Sequence, residues 1–576
     1  MRYLNLAPAQ NLALDKTMAN RQLNIVSLVM AFFMVTSTSL LAQESSPPSQ
    51  GKTNSPAWSS FRNGGLSHVP KDASFPTSWS PSHGISWQVE LAGYGQSAPL
   101  VLNDKILVTA VDGPKKETNL VICIDRETGV ENWRASQPST LLGSSNYMYS
   151  RAAPTPIADE QRTIAFFESG DLIAVRTSDG KKLWERDLKQ DVGELKSRHG
   201  LGSSLTQTDD LFFVNLEHGG PSALIAIQKS DGATRWSVER PSGTSWSSPV
   251  VMRRGDEFQV VISSAGEAAG YDSQTGKELW KITDLAGNSV PSPLILGNRI
   301  FLGARKSEFG SVAAAAQSNL CLEFLEDDVS PTVVWRSERC VADYCSPVVS
   351  GDFLFLINGS GILGCLNKNN GEEKYRQRLG FESWATPIVR GDQLFVFGKN
   401  GTTSVIQADG EYKLISENRL WDTDNPPSPV SYQEYYPPAK ATGHGTGDHK
   451  GHNGKHSSGS KPTAGSRGHS AQRDSKNPGA GMLAGMLKGD KDGDETLTGD
   501  EIPKRLVAVM DNIDLNKDGS LDKSELEKMA KSFAKRRAGS KQSSRDPIVY
   551  GVAADSEGIL IRTGTRLYAI GGESKK

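Results

Sequence analysis

The sequence predicts an all-β protein, an eight-bladed β-propeller whose ring is interrupted near its end by a small α-helical insert. Three observations predict it. A frame of small residue, turn glycine and large apolar residue recurs along the chain. A Ser/Thr–Pro or Ala–Pro step stands ahead of most copies. The two ends of the chain each hold part of one further unit, and joining them closes the ring.

The frame is explicit in CIDRETGVENW, from Cys123 to Trp133, and in GYDSQTGKELW, from Gly270 to Trp280. It returns from Ala174 to Trp184, Ala226 to Trp236 and Cys365 to Tyr375, stretched from Cys321 to Trp335, and degenerate in SVIQADGEYKL from Ser404 to Leu414. Pairs such as Thr128-Gly129 and Asp179-Gly180 supply the positive φ of a tight hairpin. The apolar residues before the turn form one strand. The terminal Trp lies on the next, large enough to fill the wedge between sheets, and the small first position is one that a neighbouring strand crowds. Cys123, Cys321 and Cys365 are therefore small core residues. Cys340 and Cys345 remain open as a pair.

The second marker is Ala98-Pro99, Thr155-Pro156, Ser248-Pro249, Ser292-Pro293, Ser346-Pro347 and Thr386-Pro387. Proline suits a strand start, where no ladder bond is lost. Seven blades end near Trp133, Trp184, Trp236, Trp280, Trp335, Tyr375 and Leu414. An eighth is assembled from Ile548–Ile570 and the orphan strand Ile85–Val89 with its Trp87, which removes the exposed edge.

The frame A-x-D-x-x-T-G-x-x-x-W resembles the PQQ-like (quinoprotein-like) propeller family. Trp58-Ser59-Ser60-Phe61-Arg62 is similar to the W-x-x-F-R lead-in of its exported members. The resemblance assigns residues 58–422 to blades one to seven plus the closing strand, and 546–572 to the last blade. It raises a pyrroloquinoline-quinone-dependent alcohol, or polyvinyl alcohol, dehydrogenase as one alternative. The adjacent cysteine pair and a C-x-x-C-H haem site are both missing from the sequence, so the quinone is not the expected cofactor.

Between the seventh and eighth blades the pattern stops. Residues 423–480 read as a disordered Pro/Gly/His-rich linker, solvated rather than metal-binding. Residues 481–539 read as a calcium-binding pair of EF-hand loops. The first places oxygen donors at Asp490, Asp492, Asp494, Thr496, Thr498 and Glu501, the second at Asp514, Asn516, Asp518, Ser520, Asp522 and Glu525. Calcium takes six to eight oxygens, and this spacing wraps them around one point with the final Glu bidentate. Gly519 gives the second loop its sharp turn, whereas Glu495 stands at that place in the first. Ile502, Leu506, Met510 and Ile513 line one helix serving both loops, and Leu526, Met529, Ala530 and Phe533 line the exit helix.

Residues 1–42 read as a signal peptide: Arg2, Lys16 and Arg21, an apolar run from Leu23 to Val35, then Leu40-Leu41-Ala42-Gln43. An uncleaved anchor is the alternative. Met1 and Met18 are both candidate starts. The expected location is periplasmic or secreted, with no stable membrane insertion after cleavage.

The chain carries 64 basic and 66 acidic residues, a balance that offers no footprint for nucleic acid. The expected function is a non-catalytic binding or assembly scaffold meeting a protein partner or an extracellular polymer through a propeller face. A carbohydrate-binding or carbohydrate-active propeller is the second alternative. Trp246, Tyr344 and Trp384, each three residues before its marker proline, are the stacking candidates for a ligand in the central channel. No catalytic residue is nominated, and His199 and His218 are expected to be structural.

Overall fold

The computed structural model describes residues 57–143, 149–306, 311–326, 328–422, 424–427, 489–490, 492–502, 514, 516–529 and 547–571. The segment read as a signal peptide lies outside them, as do residues 428–480 of the linker and residues 503–513, where most of the connecting helix was expected. Among the described residues no helix is long and apolar enough to cross a membrane.

Eight antiparallel sheets follow one another along the chain. Blade one runs from Leu100–Leu102 to Glu131–Pro138, blade two from Ile157–Ala158 to Lys182–Asp187, and blade three from Thr206–Gln207 to Thr234–Arg240. Blade four spans Val250–Arg254 to Glu278–Ile282, blade five Leu294–Leu296 to Thr332–Arg336 and blade six Val348–Ser350 to Glu373–Arg378. Blade seven runs from Ile388–Arg390 to Leu414–Arg419. Blade eight joins Gly551–Ala554, Gly558–Arg562 and Arg566–Gly571 to Ile85–Glu90, with Trp87 opposite Ala569. The expected closure is thus present. Arg126 of blade one adds a bidentate bond to Asp555 of blade eight, 2.8 and 3.0 Å long.

The recurring frame now has a physical reading. Asp125 Oδ1 accepts from the Glu127 and Thr128 amides and the Thr128 hydroxyl, which builds the turn, and Asp272 repeats this with Thr275. The small first residue lies directly across from the Trp: Cys123 pairs with Trp133, Ala174 with Trp184 and Gly270 with Trp280, each followed by a bulge. The indole then reaches the next blade. Trp133 donates to Thr177 O, Trp184 to Lys229 O, Trp236 to Ser273 O and Trp335 to Lys368 O. Its ring covers that blade's turn glycine so closely that a Cβ on Gly180 would sit 2.4 Å from Trp133 Cε3. Trp280 faces the stretched fifth blade and donates instead to Gln259 of its own sheet, with Phe324 edge-on at 5.8 Å.

Blade seven corrects the sequence reading. Leu414 pairs with Ile406 and points to solvent, while Ser416 stands opposite Val405 in the place of the Trp. One extra turn residue shifts the register. The chain before blade eight covers the gap: Thr77 O accepts from Ser416 Oγ and Asn418 Nδ2, and the Trp79 amide donates to Asn418 Oδ1 at 2.9 Å. All five cysteines are free and buried, Cys340 and Cys345 included. Burial pushes each thiol up to about 12.

The marker residues form a belt. The Ala98 amide donates to Thr155 Oγ1, Thr155 to Ser204, Ser204 to Ser248, Ser248 to Ser292, Ser292 to Ser346, and Ser346 to Thr386, all at 2.9–3.1 Å. Each hydroxyl satisfies a buried amide of the preceding blade just before its inner strand begins. At the seam no hydroxyl is needed: Gly551 and Ala98 meet so closely that a Cβ on Gly551 would lie 2.6 Å from Ala98 Cα.

Candidate functional site

The belt surrounds a cavity of about 450 Å³ on the ring axis. Its walls are the belt residues themselves, Thr155, Ser204, Ser248, Ser292, Ser346 and Thr386. The lead-in supplies Trp58, Phe61, Arg62 and Ser67 to the same cavity. That segment is threaded through the ring: Ala57–Trp58 pairs with Leu102 and Val101 of blade one, and His68–Val69 runs parallel to Val389–Arg390 of blade seven. Between these ends the Ala158 amide donates to Ser59 O, and Arg62 Nη2 donates to Pro293 O at 2.6 Å. Trp58 is almost completely buried.

A loose aromatic collar lines the same cavity. Tyr149 lies 6.0 Å from His199 and His199 6.2 Å from Trp246, between ring centroids. Farther round, Tyr344 lies 5.4 Å from Trp384, which lies 5.7 Å from Tyr550. Trp246, Tyr344 and Trp384 therefore all line the channel cavity. Trp246 is pinned by its indole N–H on Gly200 O, and Lys399 sits 4.3 Å over the Trp384 ring. Arg305 caps Tyr344 at 5.1 Å and lies 3.7 Å from Asp343.

His199, expected to be structural, belongs to this collar, while His218 is buried outside the cavity and accepts from the Gly220 amide. The residues that sequence reasoning missed are Tyr149, His199, Tyr550 and Arg62. Arg62 had one available signal, its place in the lead-in pentad. Among the described lining residues there is no carboxylate and no thiol.

The acidic loops form a separate feature. The carboxylate oxygens of Asp490, Asp492 and Asp494 lie within 4.8 Å of one another. Glu495 takes φ 60°, the left-handed conformation that glycine accepts at lower cost, and Gly519 takes φ 81° at the matching place. Leu497 and Leu521 exchange both backbone bonds at 3.0 Å, which ties the loops together. Thr498 and Glu501 close a capping box. In the second loop Glu525 is buried, its two oxygens accepting from the Asn516 and Asp522 amides. Among the described residues, Asp514 Oδ1 is buried without a hydrogen-bond partner. Asn516 and Asp518 are exposed, Thr496, Ser520 and Asp522 are half-buried, and Leu526 and Met529 bury one face of the helical turn that follows. Ala530 and Phe533 lie outside the described residues.

Comparison with known families matches residues 77–198, 194–330 and 327–434 to the family described as outer membrane protein assembly factor BamB, more than half of the chain. The chain belongs to that family. Similar curated proteins include the outer membrane protein assembly factor BamB of Burkholderia pseudomallei (strain K96243), 23% identical over 279 residues, 48% of this chain and 64% of that protein. The protein of the same name from Shewanella oneidensis is 23% identical over 313 residues, 53% of this chain and 74% of that protein. The chain spans just under two-thirds of the first relative's length. Among solved structures, BamB from Moraxella catarrhalis is similar at 15% identity and TM-score 0.42, over 58% of this chain and 87% of that one. A europium-containing methanol dehydrogenase is similar at 11% identity and TM-score 0.44, over 63% and 85%. The acidic loops lie outside the span that the family matches.

Proposed function

We propose that this chain is an exported, non-catalytic assembly scaffold that meets a protein partner through its propeller and carries a calcium-binding EF-hand pair. The observation that carries the scaffold reading is membership of a family described as an outer membrane protein assembly factor, together with two relatives of that name. A periplasmic location agrees with that name and with the leader-like N-terminus. The geometry is in keeping with it. A closed ring laced by the hydroxyl belt is a rigid platform, and the lead-in is tied to it by strand pairing with blade one. Quinone-dependent alcohol oxidation is the alternative. The described cavity lining offers no carboxylate to take the proton from an alcohol, and the thiols lie in the blade cores.

The loops suit calcium by donor chemistry. Clustered carboxylates in the first loop, and in the second an Asp514 oxygen without a partner among the described residues, suit a hard cation. The second loop is the tighter site, because Glu495 bears a backbone cost that Gly519 does not.

Two measurements test the proposal. Cross-linked capture of the full chain from the exported fraction, with and without chelator, should recover outer-membrane proteins or their assembly machinery. Dye-linked alcohol oxidation after addition of pyrroloquinoline quinone would overturn the scaffold reading. Calorimetric titration of the full chain should show two calcium ions at roughly 10⁻⁴ to 10⁻³ M. Glu525→Gln should weaken the tighter site and Glu501→Gln the other. Heats unchanged by either substitution would remove the calcium assignment.

A further inference from the structure

The lead-in crosses the ring and is held at few points. It starts beside the turn end of blade one's inner strand, where Trp58 pairs with Val101. Ser59 O accepts from the Ala158 amide of blade two, and Arg62 Nη2 reaches Pro293 O of blade five, opposite blade one in an eight-membered ring. Gly65 packs on blade four so tightly that a Cβ there would lie 2.9 Å from Val250 Cγ1. His68 Nε2 donates to Val349 O of blade six at 2.6 Å, and His68–Val69 runs out along blade seven to Arg390, next to the Gly391 turn. Trp58, Phe61, Arg62 and Ser67 line the axial cavity on the way.

These attachments are brief. Each of the two ladders is two residues long, whereas Lys105–Asp112 and Thr118–Asp125 pair at eight positions within blade one. The segment also carries costs that the blade strands do not. Arg62, Asn63 and Ser67 take φ 54°, 50° and 57°, so three of the ten left-handed non-glycine residues among the described ones fall within six positions. Each such residue favours release by about tenfold. Trp58 Nε1 and Arg62 Nε and Nη1 are buried without a hydrogen-bond partner among the described residues, and water would satisfy them on release.

The chain that follows is fastened more firmly. Arg390 Nη1 donates to Ala73 O and Phe75 O, Phe75 lies edge-on to Phe395 at 5.4 Å, and the Trp79 amide donates to Asn418 Oδ1. Ile85–Glu90 then completes blade eight. Ring closure rests on that strand, so the lead-in can depart without opening the ring. The short stretch from Pro70 to Asp72 joins the lightly held part to the fixed part.

We infer that the lead-in is a releasable plug: residues 58–69 leave the channel as one unit, pivoting at Pro70–Asp72 while the eight blades stay closed. Its departure opens the axial cavity at the end where the inner strands turn. The collar of Trp246, Tyr344 and Trp384, three residues ahead of the strand-start prolines, stands toward the other end. The plug does not depend on the scaffold assignment, because its release is a property of the ring alone.

The test uses the full chain carrying Ser67→Cys. Ser67 is 1% exposed, so a thiol of the same shape is alkylated there only when the plug is out. The five native cysteines, buried in the blades, report unfolding of the ring. With iodoacetamide at pH 8, the introduced thiol should react at least about tenfold faster than the native ones, at a rate that barely rises in low urea. Arg62→Met in the same background should slow that reaction at least about tenfold, because it removes the buried charge that favours release. Hydrogen exchange of the parent is the second measurement. The Ser67, Ala158 and Val389 amides, bonded to Arg62 O, Ser59 O and Ser67 O, should exchange together and well ahead of the amides of Thr118–Asp125. Labelling of the introduced thiol only in step with the native cysteines overturns the inference, as does labelling at the rate of a free thiol. So does separate exchange of the three amides, or faster labelling in the Arg62→Met background.

Discussion

Replacing Gly180 by Ala should destabilise the ring well beyond the backbone cost of a left-handed alanine, because the added methyl group meets the indole of the neighbouring blade. Gly180 has φ +72°, and its Cβ would lie 2.4 Å from Trp133 Cε3 and 2.7 Å from Cδ2. Three costs add. Placing Ala in the left-handed region costs about 1–2 kcal/mol. Displacing the Trp133 ring breaks its 3.2 Å bond to Thr177 O, worth about 1 kcal/mol. Overpacking between two rigid sheets adds about 1–3 kcal/mol. The total is roughly 3–6 kcal/mol. Gly255 is the internal control: φ +60°, with nothing within 4 Å of its Cβ, so Gly255→Ala should cost only the backbone term of about 1–2 kcal/mol. Urea unfolding followed by tryptophan fluorescence measures both. The Gly180→Ala penalty should fall toward the control value in a Trp133→Leu background, because the clash has been removed. Equal penalties at Gly180 and Gly255, or a coupling below about 0.5 kcal/mol with Trp133→Leu, would refute the claim that the glycine exists to receive the neighbouring blade's indole.

Closure should depend on Asp555. Asp555→Asn strands Arg126 at the seam and should cost about 3 kcal/mol, with new proteolytic cuts near blade eight; an unchanged melt and digest would show the seam is held by strand pairing alone. Ser248→Ala should cost about 1–3 kcal/mol by leaving the buried Ser204 amide without its 2.9 Å acceptor, and a neutral result would mean that the belt contributes nothing. The cysteines should resist alkylation in the native protein at pH 8. Burial raises each thiol to about 12, so the folded state holds the unreactive protonated form until well above the pH at which the unfolded chain ionises. Rapid labelling of any one of them before unfolding would place it outside the blade cores.

The ring was legible because its determinants are local and repeated. Asp125, Thr128 and Gly129 make their turn within five residues, and Cys123 and Trp133 face each other across one hairpin, so each copy shows itself in a short window. Closure was legible for the complementary reason: Trp87 is the Trp of a unit with no turn before it, and residues 551–571 are a unit with no Trp after it. Reading failed where a copy kept its turn and changed its length. Blade seven retains Asp409-Gly410, but the extra residue moves Ser416 into the Trp position, and nothing within the window reveals that the backbone of Thr77 and Trp79, more than 300 residues away, bonds to Ser416 and Asn418 there. Ser204 was missed in the belt because Leu205 follows it where the other five hydroxyl residues have proline. The cavity divides along the same line. Trp246, Tyr344 and Trp384 share an offset from their prolines, so the symmetry that repeats the strand start also repeats their direction toward the axis. Arg62, Tyr149 and Tyr550 have no counterparts in other blades. Arg62 meets Pro293 across 231 residues, a contact that exists only once eight sheets have closed around the lead-in. A propeller channel is walled by its repeat, but neighbouring blades supply near-identical groups and cannot by themselves make one side of the cavity chemically different from another. Here the asymmetry comes from residues that the repeat does not share, Arg62 of the lead-in together with Arg305 and His199 beside single blades.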